Sequence, residues 1–185
     1  MSPRSDAARN RTAIVDAALE LVGRDPQASL ADIASAAGVG RVTLYGHFSS
    51  REELLEAALR RAIERADADL AEVDLTGDAL VALERLVRGS WEIVARFHGL
   101  LAAMQRAVDT EHIRSHHAAP LERLEALVRR GQDEGSVRTD VPASWLTTCT
   151  TVILHTAAAE VRAGRLGDGE PSDVVAATIR SLVAR

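Results

Sequence analysis

The sequence predicts an all-α protein: a three-helix N-terminal domain built around a helix-turn-helix, followed by a larger C-terminal helical bundle. Three observations carry that reading. Ala, Leu, Val and Arg dominate the 185 residues and aromatics make up only 3%, a vocabulary poor in the β-branched and aromatic clusters that strands favour. Apolar residues recur three and four apart along most of the chain, the spacing that puts them on one face of a helix. Between Ser29 and Phe48, two short helical patterns are joined by a Gly-containing turn.

Taken in order, the first helix is expected from about Arg9 to Val22, with Ile14, Ala18, Leu21 and Val22 on its inner face. Asp25-Pro26 ends it, because proline cannot continue a helix and restrains the residue before it. Ser29 and Asp32 have the spacing of a capping box at the start of a short second helix, and Gly38 is placed as its stop. A third helix is expected from Arg41 to His47, with Phe48 as a core aromatic at its exit. A long helix follows from Arg51 to about Leu70, broken by Val73-Asp74-Leu75-Thr76-Gly77. Leu80, Leu83, Val87, Trp91 and Val94 trace another to Phe97, and Leu100, Leu101 and Met104 suggest a separate short one. The remaining helices are expected around Pro120 to Gly131 or Gly135, from Ser144 to Arg162, and from Ser172 to Arg185.

Bulk properties bound the function. The net charge is −5, but up to Ser50 five arginines balance five carboxylates, so the acidic excess lies elsewhere. Binding to an anionic partner depends on where charge sits, so net charge does not exclude nucleic acid. Every basic residue is Arg and Asn10 is the sole Asn, a compositional bias from which no function follows. Cys149 is the single cysteine, so no intramolecular disulfide can form, and a reducing cytoplasm is the expected compartment. The opening MSPRSDAARN has no apolar signal core, and no apolar run reaches the ~18 residues of a membrane span.

The chemistry-bearing segment is the helix-turn-helix. Ala34 sits where the two short helices cross, Gly38 where the chain reverses, and Ile33, Val39 and Leu44 supply buried contacts. The polar residues Arg41, Thr43, Tyr45 and His47 are then left facing outward, on a helix of the width that a DNA major groove admits. Arg41 can donate two parallel hydrogen bonds to guanine O6 and N7; Tyr45 and His47 can donate to phosphate oxygens.

The stretch LADIASAAGVGRVTLYGHFSSREELL, Leu30 to Leu55, resembles the signature of the tetracycline-repressor (TetR) family over nearly its whole length. RGQDEGSVRTD, Arg130 to Asp140, more loosely resembles the turn before that family's dimerisation helices. The resemblance implies a double-stranded DNA operator, a small-molecule effector and a homodimer formed through the last two helices. It divides the chain into a DNA-binding domain (1–50, with connecting helix 51–70) and a ligand-binding and dimerisation domain (71–185). It assigns DNA contacts to Thr43, Tyr45 and His47, places Gly40 and Arg41 at the variable start of the recognition helix, and matches Arg51 to a phosphate contact. Arg4, Arg9 and Arg11 lie ahead of these as either further phosphate contacts or a solvated tail. Two positions depart from the family pattern: Gly46 replaces a common aromatic, and Ala31 a polar or basic residue. Both reduce the side chains available to DNA.

In the bundle, Trp145, Cys149, Val152, Ile153 and Thr156 share a face of the penultimate helix, suited to close approach across a two-fold axis. Candidates for a largely apolar effector pocket are Trp91, Phe97, His98, Met104, Gln105, Trp145, Cys149 and His155. His112 and His116 could share a helix face as zinc ligands can, but no glutamate lies between them in the metallohydrolase pattern and no cysteine is near, so with His117 they read as a solvated cluster; no metal or cofactor is expected. No Glu-x-x-His pair, phosphate loop or arranged nucleophile suggests an enzyme. The competing reading is a helical protein-interaction adaptor that does not bind DNA.

Overall fold

The structure is a computed structural model that describes residues 3–107, 118–166 and 170–185. These residues form eight helices: α1 (Pro3–Arg24), α2 (Leu30–Ala36), α3 (Arg41–His47), α4 (Arg51–Ala71), α5 (Ala79–Ala107), α6 (Ala118–Glu134), α7 (Ala143–Arg162) and α8 (Pro171–Val183). The described residues contain no strand, only an isolated antiparallel bridge between Val137 and Ala184. No described helix is long and apolar enough to cross a membrane.

Two elements differ from expectation. The first helix begins at Pro3 rather than Arg9, which suits proline at a helix start; Asp6 in its first turn pairs with Arg9. The break expected after Phe97 is absent. The helix runs on through His98 and Gly99 as part of α5, because Leu100, Leu101, Ala103 and Met104 continue its buried stripe.

The described chain divides into two compact units. One comprises residues 3–65 and 96–107, the other 66–95, 118–166 and 170–185, so α4 and α5 each contribute to both. In the first unit, Ile14, Leu19 and Val22 of α1 meet Ile33 of α2, Leu44 of α3, Leu54 and Leu55 of α4, and Leu100 and Met104 of α5 in one apolar core. Gly99 is there for close packing: a Cβ on it would stand 2.2 Å from the Gly23 carbonyl oxygen and 2.7 Å from that of Val22. The end of α1 and the later part of α5 therefore touch backbone to backbone.

In the second unit, Leu83, Val87 and Trp91 of α5, Val128 of α6, Leu146 and Ala158 of α7, and Ile179 and Val183 of α8 form a separate core. The turn between α6 and α7 is held by the Gln132 amide, which donates to the carbonyls of Arg138 (2.9 Å) and Val141 (3.1 Å). The Arg138 amide donates to the Val183 carbonyl at 2.9 Å, tying this turn to the end of α8.

The break between α4 and α5 is an ordered turn. Asp74 accepts from the Thr76 hydroxyl (2.6 Å), the Thr76 amide (2.9 Å) and the Arg85 guanidinium (2.6 Å). These bonds, the Thr76 hydroxyl's first, hold its carboxyl down to about 2 from the ordinary 3.8. A carboxyl depressed in the folded state stabilises it fully above its unfolded pKa and loses that contribution as pH falls toward the folded value. Urea unfolding at pH 7, 4 and 2 should therefore show a decline between pH 4 and 2 that is shallower in Asp74→Asn. Identical pH profiles would remove Asp74 from the acid response.

Candidate nucleic-acid interface

The helix-turn-helix is assembled by local chemistry. At the start of α2 the capping box is complete: the Ser29 hydroxyl accepts from the Asp32 amide at 3.2 Å, and the Asp32 carboxylate accepts from the Ser29 amide at 3.0 Å. The Ser29 hydroxyl also donates to the Asp32 carboxylate at 2.6 Å, and this bond first, then that from the Ser29 amide, holds the Asp32 carboxyl below its ordinary value. Gly38 takes φ +67°, a left-handed conformation that costs glycine nothing, and the chain turns there into α3. The Val39 amide then donates to the Ala34 carbonyl at 3.0 Å, fastening the turn back onto α2. At the far end, the Ser49 amide and hydroxyl both donate to the Glu53 carboxylate at 2.7 Å, capping α4.

The orientation of α3 follows from which residues the core takes. Leu44 and Phe48 are each 1% exposed and lock one side inward. Helical geometry advances about 100° per residue, so the positions two before and two after Leu44 lie on the opposite side. Those are Val42, which is 87% exposed, and Gly46, around which a Cβ would meet nothing within 4 Å. Arg41 and Tyr45 flank this face, Tyr45 being 56% exposed, while Thr43 and His47 lie half-buried along its sides. Polarity alone does not place Val42 on the outward face; its angle from the buried Leu44 does.

Electrostatics favour an anionic partner at this face. Between Asp32 and Glu52 the chain carries no carboxylate, although the protein is acidic overall. Arg41 is exposed and forms no ion pair within 4 Å among the described residues. A polar groove of about 330 Å³ in the same unit, lined by Arg11, Arg60, Arg61 and Glu64 among others, is a weaker alternative. Its charges are largely spent: Asp16 takes Arg61 (3.5 Å) and Arg65 (2.7 Å), and Glu56 takes Arg60 (3.8 Å). Arg11 lies over the Phe48 ring at 5.1 Å.

Of the sequence-derived contacts, Gly40 caps α3 in extended geometry, and Arg41, Thr43, Tyr45 and His47 come together on α3. Arg51 is placed differently from a free phosphate contact. Its guanidinium donates to the carbonyls of Ala28 (2.5 Å) and Pro26 (3.1 Å), clamping the loop between α1 and α2. The reason is proximity: the start of α4 lies against that loop, whose carbonyls have no helix to bond within.

The pocket candidates fall in different units. Trp91, Trp145, Cys149 and His155 belong to the second unit; Phe97, His98 and Met104 belong to the first, where Met104 is fully buried. Trp145 is 57% exposed and shares an outward stripe of α7 with Val152, also 57% exposed, so it does not sit inside the bundle core. The side chain of Gln105 and the cluster His112, His116 and His117 lie outside the described residues. Among the described residues no group of three or more His, Cys, Asp or Glu is arranged to hold a metal ion.

Two short helices joined by a glycine turn, the second seated by buried residues and bare of carboxylates, define a DNA-binding regulator of the helix-turn-helix class. Comparison with known proteins carries this further. The family described as bacterial regulatory proteins, tetR family, matches residues 14–58. The transcriptional repressor LfrR of Mycolicibacterium smegmatis is 38% identical over 86 residues, a match spanning 46% of this chain and 46% of LfrR. The nucleoid occlusion factor SlmA of Marinobacter nauticus is 30% identical over 137 residues, 69% of each chain. The crystal structure of LfrR from Mycobacterium smegmatis with proflavine superposes with a TM-score of 0.74 at 22% identity, covering 94% of this chain and 96% of that one. This chain belongs to the tetracycline-repressor family of bacterial regulatory proteins.

Proposed function

We propose that the protein is a homodimeric repressor, released from a palindromic operator by a small hydrophobic or amphipathic effector. The observation that carries this is α3 itself: a short helix pinned by Leu44 and Phe48, presenting Arg41, Val42 and Tyr45 and carrying no carboxylate of its own. Arg41 reads a guanine edge; Tyr45, Thr43 and His47 fix the helix against the backbone. LfrR, which the chain resembles, is a repressor and has been solved with proflavine, which supports an effector-responsive reading.

Dimerisation is assigned to α7 and α8. Trp145 and Val152 on α7 and Val174 on α8 are large apolar side chains left exposed on the second unit, and burying them in a two-fold contact removes them from water. The effector is assigned to the second unit. Trp91 and His155 are its candidate contacts, along with Thr150, whose hydroxyl is fully buried and has no hydrogen-bond partner among the described residues. Effector and operator would oppose each other by linkage, each weakening the other's affinity by the same factor. The connecting helices α4 and α5, which contribute to both units, are the candidate carriers of that coupling.

The test is selection of bound sequences from genomic fragments, then titration of the winning site at several salt concentrations. The wild type should select a palindrome and show a steep salt slope; an Arg41→Ala, His47→Ala double variant should bind at least about tenfold more weakly. If no site is enriched, or the double variant binds equally well, the assignment passes to a protein-interaction adaptor.

A further inference from the structure

We infer that Val42 reads a thymine methyl group in each operator half-site, resting on the assignment of α3 as the recognition helix. The inference comes from what occupies the middle of the outward face. Val42 and Gly46 stand opposite the buried Leu44, so when the helix lies in the major groove with its inner side on the protein, these two positions meet the groove floor. The polar residues stand to the sides.

Neither central residue offers a side-chain donor or acceptor. Gly46 has no side chain and leaves open space beside Val42, so nothing holds the helix away from the bases at that point. Val42 at 87% exposure presents its two methyl groups almost wholly to solvent, an arrangement with no role in the core of this unit.

Each base pair shows a distinct pattern in the major groove, and the only apolar group there is the C5-methyl of thymine. Against guanine O6 and N7 or the cytosine amino group, valine would strip water from a polar atom and return no hydrogen bond. Against thymine it buries methyl on methyl. Val42 therefore selects a 5-methylpyrimidine, while Arg41 beside it remains free to take a neighbouring guanine.

The experiment uses the operator obtained by selection. Each thymine of the half-site is replaced in turn, symmetrically in both half-sites, by deoxyuridine, which differs only by the missing methyl. For the wild type, one position should lose about fourfold in affinity per half-site, the value of one buried methyl-sized group. In Val42→Ala that same replacement should be nearly neutral. Placing cytosine there should weaken wild-type binding, and 5-methylcytosine should recover part of the loss. Val42→Ala is exposed and favours helix, so its fold is preserved; circular dichroism and melting temperature check this. An enriched palindrome bound equally well with deoxyuridine at every position, or a methyl penalty unchanged in Val42→Ala, overturns the inference while leaving the DNA-binding assignment standing. Failure to enrich any sequence overturns both.

Discussion

Gly99→Ala is expected to destabilise the protein by about 3 kcal/mol, lowering its melting temperature by roughly 6–12 °C. The methyl group would stand 2.2 Å from the Gly23 carbonyl oxygen and 2.7 Å from that of Val22, and both are backbone atoms in the last turns of α1. A flexible side chain would swing aside from such a contact; a helix backbone must move as a body. The comparison that isolates the effect is Gly46→Ala. That glycine also lies within a helix but has open space around it, so alanine there should leave stability unchanged or raise it by up to ~1 kcal/mol. Thermal melts of both variants would decide the matter, and equal melting temperatures for Gly99→Ala and wild type would show that α1 and α5 do not meet as described. Because α1 also packs on α2 and α3, a displaced α1 should weaken operator binding in whatever fraction of Gly99→Ala remains folded.

Arg51→Ala is expected to cost about 2–3 kcal/mol, measurable as a lower midpoint in urea unfolding. Its guanidinium satisfies two carbonyls of the loop between α1 and α2, and losing a charged donor leaves both without that partner. The phosphate role implied by family resemblance predicts something else: unchanged stability and a salt slope of operator binding reduced by about one. Arg51→Lys separates the two. Lysine keeps the positive charge but loses the planar fork that spans two acceptors, so it should retain the salt slope and still lose stability. If Arg51→Lys is as stable as wild type, the clamp contributes little and the phosphate role gains weight.

The difference between these residues and those that were legible beforehand is physical. Local elements could be read because their causes lie within a few residues. Ser29 and Asp32 cap α2 across a single turn, Asp25-Pro26 stops α1, Gly38 supplies the left-handed turn, and Leu44 and Phe48 declare the inward side of α3 by their spacing. The all-α class and the order of helices followed from the same short-range rules, as did the gathering of Arg41, Thr43, Tyr45 and His47 onto one short helix.

Three features waited on the tertiary structure because their causes are distant in the chain. Gly99 lies where the sequence suggests two separate helices until Gly23, far earlier in the chain, is seen against it. Then it is the residue that permits a helix crossing, and α5 continues through it. Arg51 reads as a surface cation until the carbonyls of Ala28 and Pro26 are found within its reach. Trp145 reads equally as a pocket residue and as part of a two-fold face; the packing of α7 on α6 and α8 leaves it outward, away from the bundle core. Sequence by itself determined the all-α class and the limits of the short helices α2 and α3, whose caps lie within a few residues; the start of α1 and the length of α5 it did not. Tertiary packing decided that α5 runs on past Phe97, what Arg51 binds and that Trp145 is uncovered, because each depends on groups far away in the chain.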